Sequence, residues 1–194
     1  MKIHTRAIPC IVLAVLLAAT NATQAHQGKH DKDPMTQSLE ALKGKEFEVM
    51  FLKEMIPHHQ SAVEMAKLIP ANTKRPELIK LGAQITASQN AEIKQMTDWL
   101  KSWHGETPGS MEKMPGMDKM MGEMKTLEKA KDAEFDKMFL QMMIPHHEGA
   151  VSMSALVEKR TERPELRKLA QEITKAQQAE IAEMKSWEKS WFKQ

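Results

Sequence analysis

The central part of the chain carries an unusual concentration of methionine. Six of the 17 methionines fall within 14 residues, at positions Met111, Met114, Met117, Met120, Met121 and Met124. The thioether is a soft, uncharged donor that suits Cu(I) and, through the same softness, Ag(I). A low-complexity linker is the alternative interpretation, but linkers are normally rich in Gly, Ser or Pro, and exposed methionine is a hydrophobic liability. The spacing therefore favours a segment that binds a soft metal ion.

A second set of potential ligands surrounds the sequence Met-Ile-Pro-His-His, which occurs twice. On a straight helix, the second copy places Met138, Met142, His146 and Met153 on one inward face, and Met143 and His147 on its flank. The first copy has Met50, His58 and Met65 on the corresponding face and Met55 and His59 on the flank, with Glu54 in place of Met142. Neutral imidazole with thioether sulfur is compatible with copper in either common oxidation state.

These histidines and methionines also have a purely structural interpretation. A methionine stripe at helical spacing often fills a core, and a buried histidine is often held by hydrogen bonds. Four polar residues fall on inward stripes and could hold the imidazoles in a structural polar layer: Gln89, Glu92, Gln177 and Glu180. The sequence leaves both interpretations open.

The two histidine pairs belong to a duplicated unit. Residues 47–104 align with residues 135–192 at a constant offset of 88 without a gap, and roughly half of the positions are identical. Apolar residues recur three and four apart, which predicts a helix at about 36–70 and a second at about 76–103, ending at Gly105. Pro76 and Pro164 suit a first helical turn, with Thr73 and Thr161 as candidate caps.

Short connections make each unit an antiparallel helical hairpin, so the fold class predicted is an all-α four-helix bundle. The hairpins span residues 36–104 and 125–194, and a flexible Met-rich crossover over 105–124 joins them. Pro57 and Pro145 lie within the first helix of each unit, where a proline is expected to kink the helix and free a carbonyl group.

Composition narrows the class of protein further. A single Cys excludes an internal disulfide, a zinc ribbon and an iron-sulfur site. Residues 1–25 have two basic side chains followed by a short apolar run, which predicts a cleaved signal peptide and a periplasmic or secreted protein. The remaining chain has 26 basic and 26 acidic groups, so nucleic acid is an unsuitable partner. No later segment is apolar over the length of a membrane span.

Residues 26–35 are predicted to be a disordered tail rich in His, Lys and Asp. If cleavage follows Ala25, His26 becomes the amino terminus, and its α-amine and imidazole could chelate Cu(II). The paired tryptophans, Trp99 with Trp103 and Trp187 with Trp191, are predicted to pack one end of the bundle.

The repeated unit resembles a ferritin-like family known as a domain of unknown function. The resemblance is carried by the motif F-x-x-M-F-L-x-x-M-I-P-H-H-x-x-A-V-x-M, followed by R-P-E-L and A-E-I-x-x-M-x-x-W. The resemblance covers residues 47–104 and 135–192. It implies a four-helix bundle that binds copper, and silver as its surrogate, outside the cytoplasm and contributes to copper tolerance. It also implies metal ligands among Met50, Met55, His58, His59, Met65, Met138, Met143, His146, His147 and Met153. Dinuclear iron is disfavoured, because the residue three before His58 is Met55 rather than Glu.

The leading hypothesis is therefore a non-enzymatic copper carrier or scavenger whose partners are metal ions and another copper-handling protein. Its crossover would capture copper loosely, and its His/Met ladders would hold it more firmly. The alternative is a metal-dependent oxidase that uses the two histidine pairs with Glu92 and Glu180. A weaker alternative is a module whose exposed methionines dock another protein.

Overall fold

The computed structural model describes residues 34–110 and 117–192, with side chains in the second stretch described from residue 119 onward. The predicted signal peptide, the tail up to residue 33 and the side chains of Met111, Met114 and Met117 lie outside the described part. The described residues contain seven α-helices and no strand: α1 Pro34–Leu39, α2 Gly44–Lys67, α3 Ile69–Asn72, α4 Pro76–His104, α5 Met117–Leu127, α6 Asp132–Arg160 and α7 Pro164–Trp191.

The all-α prediction and the pair of duplicated hairpins are confirmed. Helices α2 and α4 pack against each other as one hairpin, α6 and α7 form the other, and α2 also packs against α6. Pro76 and Pro164 occupy the first turns of α4 and α7. The hydroxyls of Thr73 and Thr161 accept the backbone N–H of Arg75 and Arg163 at 3.1 Å. Each threonine lies three residues before its helix, and the N-cap residues are Arg75 and Arg163, so the prediction that the threonines cap the helices is wrong.

The prediction of one helix over 36–70 is wrong, because the helix is interrupted at residues 40–43 and again at Leu68, between α2 and α3. Helix α1 ends at Leu39 and α2 begins at Gly44, whose φ of 53° lies in the left-handed region that glycine adopts without strain. Asp132 begins α6 with nearly the same φ, 49°, although aspartate has a side chain. The repeat therefore extends upstream of residue 47, and Leu39 and Leu127 are both fully buried.

The prediction of a flexible crossover over 105–124 is wrong in its second half. Residues 105–110 are not helical, and Gly105 ends α4 with a φ of 70°, as the sequence indicates. Helix α5 then includes Gly122 and passes the expected boundary at residue 124. Leu127 is buried and Met124 packs on the same core, so this apolar face outweighs the cost of about 1 kcal/mol for one helical glycine.

Both internal prolines lie within continuous helices, as the sequence indicates. Pro57 has no N–H, so the carbonyl of Lys53 lacks its helical donor. The loop after α4 approaches this carbonyl so closely that a Cβ added to Gly109 would lie 3.1 Å from the Lys53 oxygen. The Lys53 ammonium donates to Glu106 at 2.8 Å and holds the same loop.

The core consists of two apolar clusters, and each draws on both hairpins. One cluster joins the N-terminal half of α2 to the C-terminal half of α6, as in Phe51 with Met153. The other joins the C-terminal half of α2 to the N-terminal half of α6, as in Met65 with Phe139. Helices α2 and α6 therefore run antiparallel, and both histidine pairs lie where the clusters meet.

Reciprocal contacts of two arginines tie the hairpins together. Arg163, just before α7, donates from Nε to Glu48 of α2 at 2.6 Å, and its guanidinium lies 4.3 Å from the ring centre of Trp103. Arg75 makes the same contacts in the other direction. It donates to Asp136 of α6 at 2.6 Å and lies 4.1 Å from the ring centre of Trp191. We call these two contacts the arginine clamps.

The substitution Arg163→Ala should lower the free energy of unfolding by about 2 kcal/mol, because it leaves the buried Glu48 carboxylate without its cationic partner. Chemical denaturation followed by circular dichroism would measure the change. Lys168→Ala is the matched control on α7, since Lys168 is exposed and 3.8 Å from Glu172. Equal effects of the two substitutions would contradict a clamp.

Candidate metal centre

The first histidine of each pair meets its counterpart at the centre of the bundle. The rings of His58 and His146 have their centroids 3.7 Å apart and are tilted by 34°. His58 is buried, whereas His146 is half-buried. Ser61 connects them, because its hydroxyl lies 2.6 Å from the His58 carbonyl oxygen and 2.8 Å from Nε2 of His146. We call these two residues the stacked imidazoles.

The tautomer of His146 follows from the single proton of Ser61. If the hydroxyl donates to the His58 carbonyl oxygen, Nε2–H of His146 donates to the Ser61 oxygen, and Nδ1 of His146 keeps its lone pair. Nδ1 of both stacked imidazoles is buried and has no hydrogen-bond partner among the described residues. A neutral imidazole with an open lone pair can bind a metal ion.

The surroundings keep both stacked imidazoles neutral. Burial is the main reason why the pKa of His58 lies well below its usual 6.5, and the positive charge that His146 would carry lowers it further. Burial likewise lowers the pKa of His146, with further lowering from His147 and His59. Two protonated rings at this separation would repel each other in a poorly solvated site.

The second histidine of each pair is held by a glutamate of its own hairpin. Nε2 of His59 lies 2.8 Å from Glu92, and Nε2 of His147 lies 2.7 Å from Glu180. Both histidines are fully buried. The hydrogen bonds to glutamate are those expected if these histidines are polar packing residues and not ligands. Nδ1 of each ring nevertheless has no hydrogen-bond partner among the described residues. Gln89 and Gln177 are also buried, but their Oε1 atoms have no described partner.

The inward face predicted for the ladders is only partly present: His58, Met65 and Met153 are buried as expected, but the residues predicted to be inward around His146 are not the most buried ones. His147 and Met143 are fully buried, whereas Met138, Met142 and His146 are half-buried. The reason is the row Phe135, Phe139, Met143, His147 and Ala150, in which two large rings must face the core and fix the rotation of α6. The first hairpin differs, since His58 is buried together with Phe51, Met55 and His59, and only Met50 is exposed, at 37%.

The remaining predicted methionine ligands lie in several environments. Met55 and Met153 are buried in one apolar cluster, and Met65 and Met143 are buried in the other. On α5, Met121 is 47% exposed, Met120 is half-buried and Met124 packs against the second cluster.

Sequence reasoning missed several residues beside the histidines. Ser61 contacts His146 directly, but the second repeat has Gly149 at this position, so the repeat gave no signal. Met96 and Met184 are fully buried, one in each cluster, and their recurrence at the same offset could have identified them as possible donors. The described residues contain no group of three or more His, Cys, Asp or Glu side chains arranged to hold a metal ion.

The fold and the paired histidines define a class of protein: a helical bundle built from a duplicated hairpin with imidazoles and thioethers near its centre. The family model described as "Domain of unknown function (DUF305)" matches residues 17–100 and 48–188. The chain belongs to this family.

Three solved structures are similar to the chain over most of their length. CopM in its Cu(II)-bound form is 38% identical, with 75% of this chain and 97% of that chain covered and a TM-score of 0.68. CopM in its Cu(I)-bound form is 36% identical over the same shares, with a TM-score of 0.66. A DUF305 fragment from Deinococcus radiodurans is 30% identical, with 74% and 96% covered and a TM-score of 0.66.

A curated relative shares a shorter segment. The uncharacterized protein L153 of Acanthamoeba polyphaga mimivirus is 47% identical over 51 residues, which are 26% of this chain and 34% of that protein. The matched segment thus spans about a third of the relative's length. Among the described helices, none has both the length and the apolar character that crossing a membrane requires.

The metal-free protein should lose stability as the pH falls below about 6.5. The pKa of His58 and of His146 is lowered in the folded state, so below 6.5 the unfolded chain binds protons that the folded chain does not. The loss should be about 1.4 kcal/mol per pH unit for each of the two rings until its folded pKa is reached. Urea denaturation between pH 7.5 and 5 would measure it, and the double variant H58Q/H146Q should show a weaker dependence. A wild-type stability that rises on acidification would contradict the burial of neutral rings.

Proposed function

We propose that the protein is a copper-binding protein that binds Cu(I) and also Cu(II). Ag(I) would bind in place of Cu(I). The observation that carries the proposal is the similarity to CopM, since the matched region covers 97% of a protein solved with Cu(I) and with Cu(II). CopM has also been solved in an Ag-bound form. The proposed role is sequestration or carriage of copper and a contribution to copper tolerance, without catalysis.

The stacked imidazoles are the proposed centre of the firmer site. They are neutral at physiological pH because burial lowers the pKa of both rings, and their Nδ1 atoms face no described hydrogen-bond donor. Proposed thioether donors lie at the preceding turn of each helix, Met55 on α2 and Met142 and Met143 on α6. His59 and His147 would join the ligand set by their Nδ1 atoms, with Glu92 and Glu180 fixing their rings.

The outer methionines are the proposed capture surface. Met50, Met120 and Met121 are exposed or half-buried, so an ion could reach them without opening the core. The proposed donor set on the bundle also includes Met65, Met138 and Met153. On the crossover it also includes Met111, Met114, Met117 and Met124. An uncharged sulfur on an accessible helix holds a soft ion weakly, as transfer to a firmer site requires.

The proposed location is the periplasm or the exterior of the cell. Its support is the basic start, the short apolar run and the small residues at 23–25. Uncharged sulfur donors suit such a compartment, because a free thiolate would be oxidised there.

The protein should retain Cu(I) at micromolar affinity or better, and the double variant H58Q/H146Q should lose at least about tenfold of this affinity because two neutral nitrogen donors are gone. Titration against a chromogenic Cu(I) chelator would measure both values. H104Q is the matched control, because His104 lies at the end of the bundle, 3.2 Å from Glu48. Copper that the wild-type protein releases entirely to a micromolar competitor would refute the proposal.

The oxidase alternative makes a different prediction. An oxidase would consume oxygen when the copper-loaded protein is mixed with a reductant. A binding protein should consume oxygen no faster than the same amount of copper held by an inert chelator. Oxygen-electrode measurements on wild type and on E92Q/E180Q would separate the two. Consumption that depends on both glutamates would favour the enzyme.

A further inference from the structure

Ser61 makes a contact between the two hairpins that the duplication does not repeat. Its hydroxyl oxygen lies 2.8 Å from Nε2 of His146, which follows it by 85 positions in the chain. The equivalent contact would join Gly149 to His58, and glycine has no hydroxyl group. The second hairpin nevertheless forms the same pair of long helices. The fold therefore does not require a hydroxyl at this position, and the contacts of Ser61 indicate a role other than folding.

The shorter contact of Ser61 decides where its proton lies. The hydroxyl oxygen is 2.6 Å from the carbonyl oxygen of His58, and two oxygen atoms at this separation need a hydrogen atom between them. The carbonyl group has no hydrogen, so the hydroxyl group donates to it. The Ser61 oxygen can then only accept from the ring of His146. Nε2 of His146 must therefore have a proton.

A proton on Nε2 leaves Nδ1 as the nitrogen of neutral His146 that has a lone pair. This Nδ1 is buried and has no hydrogen-bond partner among the described residues. Burial is the main influence on the pKa of His146 and lowers it, whereas the carbonyl group of His58 raises it. The net direction is downward, so the ring is neutral at pH 7, with a lone pair that no described residue uses.

The second histidine of each pair divides its two nitrogens in the same way. Nε2 of His59 lies 2.8 Å from a glutamate carboxylate, and Nε2 of His147 lies 2.7 Å from another. An ionised carboxylate only accepts, so Nε2 donates in both rings and Nδ1 keeps the lone pair. These Nδ1 atoms are also buried without a described partner. Ser61 therefore does for His146 what the glutamates do for the other two rings, without adding a charge.

The bond from Ser61 to a carbonyl group is by itself ordinary. Serine hydroxyls on helices commonly bind a carbonyl group of the preceding turn, as Ser102 and Ser190 do at exposed positions. Ser61 differs because only 3% of the residue is exposed and because its oxygen also meets an imidazole of the other hairpin. The carbonyl bond removes the freedom of the hydroxyl to donate to this imidazole.

We propose that Ser61 is a positioning residue of the metal site, which keeps the proton of His146 on Nε2 so that Nδ1 binds the ion. The inference rests on the proposed copper binding. It adds which nitrogen of His146 is presented to the metal and which residue presents it. Ser61 does not touch the ion, and His146 retains its Nε2 proton when the ion is bound.

Nuclear magnetic resonance on the isotope-labelled full-length protein tests this role. Long-range proton–nitrogen spectra distinguish a protonated ring nitrogen from one with a lone pair and from one that binds a metal. Ag(I) is the probe, because it is diamagnetic and has one common oxidation state. The variant H146Q identifies the signals of His146. We expect the metal-free wild type to have the proton on Nε2, and Ag(I) to shift the Nδ1 signal while Nε2 keeps its proton.

Three substitutions separate this role from packing. S61A should let the proton occupy either nitrogen of His146 and should weaken Ag(I) binding about tenfold, as removal of a group that orients a ligand does. S61T keeps the hydroxyl and should keep the single tautomer. S154A is the matched control, because Ser154 is a buried helical serine, 4% exposed, whose Oγ has no partner among the described residues. Its tautomers should be those of wild type, and its Ag(I) affinity should stay within about twofold.

Competition titration gives the Ag(I) affinities, and circular dichroism confirms that each variant is folded. Binding of Ag(I) through Nε2 of His146 in the wild type would overturn the inference. So would S61A with an unchanged tautomer, whether or not its affinity falls, because a loss of affinity alone would be an effect of packing. A wild-type protein that binds no Ag(I) would instead refute the proposed metal binding, and the tautomer of the metal-free protein is measured independently of that outcome.

Discussion

The arginine clamps fix how the two hairpins meet, and the candidate site depends on this register. Arg163 and Arg75 each cross from the connection of one hairpin to a buried carboxylate at the start of the other. Because the two clamps are reciprocal, they hold α2 and α6 antiparallel with His58 opposite His146. A shift of one helical turn, about 5.4 Å, would separate these rings. Contacts far from the histidines thus help to set whether the rings of His58 and His146 meet.

Much of the fold could be predicted because its largest features are periodic and repeated. The spacing of apolar residues gives the long helices, and Pro76, Pro164 and Gly105 mark ends that the structure has. The upstream boundary could not be read in this way. Asp132 adopts a positive φ although it is not a glycine, so its repeat relation to Gly44 is visible in backbone angles and not in residue types. Helix α5 was missed because glycine and proline near it suggest a loop, whereas burial of Leu127 stabilises the helix.

The burial of the candidate site residues was less predictable than their spacing. Spacing groups His147 with Met143 and His146 with Met142, and the first two are fully buried whereas the other two are half-buried. Which group faces the core depends on the large rings of Phe135 and Phe139, since burying them outweighs any preference of a methionine. The contact of Ser61 with His146 joins residues 85 positions apart, and no local pattern encodes such a pairing. Whether an imidazole serves as ligand or as polar packing is likewise a property of the assembled bundle.

The division of the core into two clusters has a consequence for how such a chain could arise. Each cluster combines residues of both hairpins, as Phe51 with Met153 and Met65 with Phe139 show. A single hairpin would leave half of each cluster facing water. A chain with one hairpin would complete such a core only as a symmetric pair of identical chains, with the same side chains on both sides of a twofold axis. With both hairpins in one chain, equivalent positions can carry different residues, as Glu54 and Met142 do.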